Sequence, residues 1–120
     1  MERLNGDKLI APVLITEMFG TMLLMLAANM AGDDLYLVPL AYFALVVCTY
    51  EISGGHLNPA ITLGVYIQQK RYTHNLLFMI FIMVAQTVGA ILALGLGFCL
   101  RVTVSDEGSS EKYLVPNVYG

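Results

Sequence analysis

The run from Leu76 to Leu100 carries no formal charge over twenty-five residues. As an α-helix it would be about 37 Å long, enough to cross a hydrocarbon core of about 30 Å. Leu9 to Ala31 is a second such run, interrupted by one charge, Glu17. A third, Leu35 to about Tyr50, is shorter but apolar throughout, and its Pro39 lies close enough to the start to be tolerated in a first helical turn. The chain is therefore expected to be an all-α membrane protein with spans at about 9–31, 35–51 and 76–100. A short polar N-terminus (1–8) precedes them and a polar extramembrane tail (102–120), read as loop, follows.

Composition agrees with this reading. Only 12% of residues are charged and 58% are hydrophobic, against roughly 25% charged in ordinary soluble domains. No block of basic residues points to nucleic acid. Cys48 and Cys99 both fall inside apolar runs, which predicts buried packing cysteines rather than a disulfide. The first apolar run exceeds the 7–15 residues of a signal-peptide core, so it reads as a span that also directs insertion. There is no nucleophile paired with a base, no metal-ligand cluster and no phosphate loop. The sequence thus predicts a protein that is not an enzyme and uses no cofactor or metal.

Between the second and third spans lies SGGHLNPAITLG, Ser53 to Gly64. Glu51 and the Gly54-Gly55 pair end the second span, since glycines are strong punctuation in a helical run. Asn58 stands where a helix N-cap belongs and Pro59 at the first helical position, where its missing amide hydrogen costs nothing. A helix from Asn58 to Gln68 would be about 16 Å long, half a membrane. Six extended residues, Ile52 to Leu57, would climb roughly 20 Å, enough to reach the midplane. The stretch 52–68 is therefore expected to be a re-entrant loop and half-helix. Non-helical backbone at that depth must be buried in protein or line a wet cavity. The carbonyls of Gly54, Gly55 and His56 are thus predicted to line a path for water or a small neutral solute. Asn58, with Pro59 and Ala60, would form a constriction at a helix N-terminus whose partial positive charge disfavours cations.

Orientation is read from Lys and Arg near the span ends. Arg3, Lys8, Lys70 and Arg71 lie on one side, Arg101 and Lys112 on the other, so the N-terminus and the central loop are expected to be cytoplasmic. In the last span Ala85, Gly89, Ala93 and Gly97 recur at every fourth position. Such a row lets helices approach closely in lipid.

SGGHLNPAITLG resembles the first Asn-Pro-Ala loop of the aquaporin and glycerol-facilitator family of major intrinsic proteins. TEMFGT (Thr16 to Thr21) is similar to that family's first-helix pattern and AQTVGA (Ala85 to Ala90) to its third. The resemblance implies one aquaporin-like repeat of three spans plus a half-helix, half of an inverted-repeat fold. It also implies a passive channel for water and small neutral solutes such as glycerol, with a second half-channel as partner and a homotetramer as the full-length assembly. In that family the glutamate matching Glu17 braces the loop, and Gln86 reads as a bracing amide beside it. Val38 falls where the family's filter usually has an aromatic residue or histidine, and Pro39 where it generally has glycine. The competing expectation is a non-conducting structural subunit of a larger membrane assembly that retains a channel repeat.

Overall fold

The computed structural model describes residues 10–69 and 76–106, the last six by backbone alone. Among the described residues there are four helices: α1 (Ile10–Met30), α2 (Leu37–Ser53), α3 (Pro59–Gln68) and α4 (Leu76–Asp106). At 1.5 Å per residue α1 is about 31 Å long, α2 about 25 Å and α3 about 15 Å. The first and fourth are long and apolar enough to cross a membrane, and the second is a shorter apolar helix where the middle span was expected; the third is the short helix after Asn58. α1 packs against α4 and α2, and α3 against α4.

The α1–α2 turn follows from its polar residues. Gly32 takes a φ of 56°, the Asp34 amide bonds the Ala31 carbonyl at 2.9 Å, and Asp34 Oδ1 accepts from the amides of Tyr36 and Leu37 at 2.8 and 3.2 Å. That carboxylate takes up two of the donors that the start of α2 leaves unpaired.

Three expectations need correction. α2 runs through Glu51 and Ile52 to Ser53 rather than stopping near 51, because Gly54, at φ 89°, supplies a left-handed C-cap that lets the last turn close. The chain from 54 to 58 is accordingly not an extended climb but a tight loop, with Gly55 and Leu57 also at positive φ (64° and 50°). At the other end α4 continues to Asp106, about a turn and a half past Arg101, where loop was expected: Val102, Thr103 and Val104 offer no breaker. Thirdly, Cys48 and Cys99 are not joined in a disulfide but are exposed rather than buried, since an apolar run crossing lipid turns much of its surface away from protein.

Burial is inverted relative to a soluble domain. Among the described residues the buried apolar side chains are Val13, Leu57, Ile82 and Ala93, whereas Glu17, Thr21, Thr49, Ser53, Thr62 and Gln86 are buried polar ones. Leu40, Phe43, Val47, Val84, Ile91 and Phe98 are among the many large apolar residues on the outside. In water such a surface would drive aggregation; in hydrocarbon it is the solvated face.

Candidate site at the tethered loop

Glu17 and Gln86, both completely buried, are the posts to which the loop is tied. Glu17 Oε1 accepts the His56 amide at 3.0 Å and Oε2 the Leu57 amide at 2.7 Å. Gln86 Nε2 donates to Glu17 Oε2 at 2.7 Å and to Thr62 Oγ1 at 2.9 Å. Three N–H donors therefore converge on one carboxylate, which suits a group that only accepts. Burying that charge without them would cost several kcal/mol. Both posts, and the loop they hold, stand a little over a third of the way along their helices, Glu17 in α1 (Ile10–Met30) and Gln86 in α4 (Leu76–Asp106).

Backbone shape and side-chain size complete the tether. Leu57, buried at a φ that non-glycine residues rarely adopt, packs onto Gly20, where any β-carbon would collide with its Cδ2. Gly20 is the midpoint of α1. On the other side Gly55 lies against α2: a β-carbon there would stand 3.2 Å from Thr49 Oγ1 and 3.3 Å from the Val46 carbonyl. Ser53 Oγ accepts the Gly55 amide at 3.2 Å and donates to the Thr49 carbonyl at 3.3 Å, while Thr49 Oγ1 donates to the Leu45 carbonyl at 2.7 Å.

The half-helix begins as its residue types dictate. Asn58, extended at φ −155° and ψ 129°, caps α3 through Oδ1, which accepts the Ala60 amide at 2.8 Å, and Pro59 is the first helical residue. Asn58 is exposed, and its NH2 hydrogens take no part in the cap. Thr62, one turn on and buried, bonds Gln86 and the Asn58 carbonyl (3.2 Å) and stands 3.3 Å from His56 Nδ1.

Of the residues singled out from sequence, Gly54, Gly55, His56, Asn58, Pro59 and Ala60 form one loop and helix start, with Glu17 and Gln86 beside them. Val38 does not join them: it sits in the first turn of α2, about 22 Å along that helix from Ser53. Glu51 is exposed on the last turn of α2. Lys70 and Arg71 lie outside the described residues. Sequence reasoning passed over Thr62, Ser53, Thr49 and Leu57. The signal for Thr62 was its position four residues after the N-cap, on the face Asn58 shares.

Buried polar side chains gathered around a broken helix, inside an apolar exterior, define an integral membrane protein with a loop tethered between its spans. The family model described as major intrinsic protein matches residues 8–119. The chain belongs to the major intrinsic protein family. It is 41% identical over 76 residues to a probable aquaporin PIP-type 7a of Pisum sativum, covering 62% of this chain and 25% of that protein. It is 48% identical over 54 residues to aquaporin PIP2-7 of Musa acuminata, covering 45% of this chain and 18% of that protein. A probable aquaporin PIP-type pTOM75 of Solanum lycopersicum is 49% identical over 53 residues, covering 44% of this chain and 18% of that protein. The chain thus spans about a quarter or less of the length of these relatives. No solved structure matches it significantly.

Proposed function

We propose that the chain is the first repeat of a passive water channel, not an enzyme, and that Asn58, Pro59 and Ala60 form its half of a central constriction. The observation that carries this reading is the tether. Glu17 and Gln86 hold the loop ahead of α3, with Leu57 against Gly20 at the α1 midpoint, while Asn58 stays exposed with its amide NH2 outside the cap. A water oxygen meeting that NH2 would accept a hydrogen from it, at a helix N-terminus where a cation is disfavoured. The carbonyls of Gly54 to His56 would continue the path on the loop side, and Val38 would stand at the far mouth.

Small neutral solutes such as glycerol belong to the same proposal, because Val38 would narrow that mouth less than an aromatic residue or histidine. The excess of Arg3, Lys8, Lys70 and Arg71 over Arg101 and Lys112 supports a cytoplasmic side for the N-terminus and the loop. A second repeat facing this one would close the pore, and four full-length copies would form the assembly.

The test is a chimera in which residues 8–119 replace the matching part of the Pisum sativum relative. It would be reconstituted in lipid vesicles and followed by stopped-flow light scattering after an osmotic step. Vesicles should shrink several-fold faster than empty ones, and glycerol uptake should be measurable in the same preparation. A folded, inserted chimera that passes no more water than bare lipid would overturn the channel reading in favour of a structural subunit.

A further inference from the structure

Thr62 is where bonds from α3 to Gln86 of α4 and to the loop meet. Its hydroxyl has one hydrogen and two lone pairs, yet four polar atoms surround it: Gln86 Nε2 at 2.9 Å, the Asn58 carbonyl at 3.2 Å, Gln86 Oε1 at 3.3 Å and His56 Nδ1 at 3.3 Å. Only some proton arrangements satisfy all of them.

The Gln86 amide can be assigned first. Its atom 2.7 Å from Glu17 Oε2 must be the nitrogen, since an oxygen there would face a carboxylate that only accepts. The second hydrogen of that NH2 then goes to Thr62, filling one lone pair. The Thr62 hydrogen is the next assignment, and the Asn58 carbonyl, four residues back in the same helix, is its nearest acceptor. What remains on Thr62 is a lone pair facing His56 Nδ1. Two lone pairs brought together in a buried site repel, so Nδ1 should carry hydrogen.

The alternative, Thr62 donating to a bare Nδ1, would turn its hydroxyl hydrogen away from the Asn58 carbonyl and bring a lone pair against that oxygen instead. In a neutral imidazole, fixing the hydrogen on one nitrogen leaves the other as an acceptor.

We infer that Thr62 is a positioning residue that holds His56 as its Nδ1–H tautomer, leaving Nε2 as a hydrogen-bond acceptor on the loop. If the loop lines the solute path, as proposed above, Nε2 accepts a hydrogen from a passing water or hydroxyl and complements the Asn58 NH2 donor two residues on. That use rests on the channel reading; the tautomer itself does not.

The experiment is nitrogen-15 NMR of the chain labelled at histidine and embedded in lipid nanodiscs, at a pH where one ring nitrogen is deprotonated. His74→Gln removes the other histidine signal. The nitrogen two bonds from Hδ2 is Nε2, and it should give the far-downfield resonance of an unprotonated nitrogen. Thr62→Ser should preserve that pattern, whereas Thr62→Val should shift the population substantially toward Nε2–H. An Nε2–H tautomer in the unsubstituted chain overturns the inference, as does an unchanged tautomer in a folded Thr62→Val variant. Should Thr62→Val fail to fold, the unsubstituted spectrum alone decides. A chimera that fails to conduct while showing the Nδ1–H tautomer would sink the channel reading and leave this one standing.

Discussion

Two seams join the helices, and they hold by different means. Around Glu17, Gln86 and Thr62 the contact is polar, made of charge-assisted and amide hydrogen bonds between α1, α3, α4 and the loop. Farther along α4 the contact with α1 is made of small residues: Gly89, Ala93 and Gly97 are buried, with Gly89 against the backbone of Met18 and Met22 and Gly97 near Asn29 and Leu26. Lipid tails are as apolar as leucine, so burying apolar surface gains little in a bilayer, and close packing and hydrogen bonding must replace it. The small-residue seam pairs two helices; the polar seam fixes the loop between them.

If this division is right, breaking the polar seam should free the loop while leaving the helix pair. Glu17→Ala strands the His56 and Leu57 amides and a Gln86 N–H in a buried site. Leaving a buried donor unsatisfied costs about 1–3 kcal/mol, so the loop should lose about 3 kcal/mol or more. Amide hydrogen exchange at His56 and Leu57 should then quicken at least a hundredfold, at 1.4 kcal/mol per tenfold, while amides of α1 and α4 beside Ala93 and Gly97 change little. Equal acceleration in both places would show one cooperative unit and erase the distinction.

Gly89→Ala attacks the other seam. Its added β-carbon would fall on the Met18 carbonyl oxygen and stand 3.0 Å from the Met18 carbonyl carbon. Backbone, unlike a side-chain end, cannot swing aside, so α1 and α4 must separate. Overpacking of this kind costs about 1–3 kcal/mol. The expected outcome is a lower midpoint of unfolding in mixtures of mild detergent and dodecyl sulfate, and earlier proteolysis.

How far sequence led can be judged on these same residues. The N-cap of α3 was legible because Asn58 and Pro59 act on their immediate neighbours, and chemistry that local needs no tertiary knowledge. The small-residue row was legible as a period of four. Ala85 is only half-buried while Gln86, one residue on, is fully buried, since a helix drifts off a strict four-residue period. The tight turn at 54–57 was not legible: the room for Leu57 at positive φ comes from Gly20, thirty-seven positions away, and from the Glu17 carboxylate. Exposure of the two cysteines was hidden for a related reason, because an apolar run in a membrane protein does not say which face meets lipid.

A smaller effect of opposite sign should come from Thr21, one turn beyond Glu17. Its hydroxyl is buried and without a hydrogen-bond partner. Thr21→Val keeps the shape and removes a desolvated group, so the fold should gain up to about 1 kcal/mol, seen as a higher unfolding midpoint in the same detergent mixtures. A loss of stability instead would mean that the hydroxyl has a partner, such as a trapped water, and that the polar seam extends one turn farther along α1.

The smallest change separates two glycines of the same row. At Gly97 an added β-carbon would meet nothing nearer than Asn29 Nδ2 at 3.6 Å and Leu26 Cδ1 at 3.8 Å, ordinary van der Waals distances. Alanine also forms helix more readily than glycine, by up to about 1 kcal/mol. Gly97→Ala should therefore be neutral or stabilising by about 0.5 kcal/mol in the assay that Gly89→Ala fails. The two residues share a spacing and a burial, so the contrast isolates distance between backbones as the cause. If both substitutions prove equally damaging, the helices must be as close at Gly97 as at Gly89, and the small-residue seam would run tight along its whole length rather than pinching at Met18.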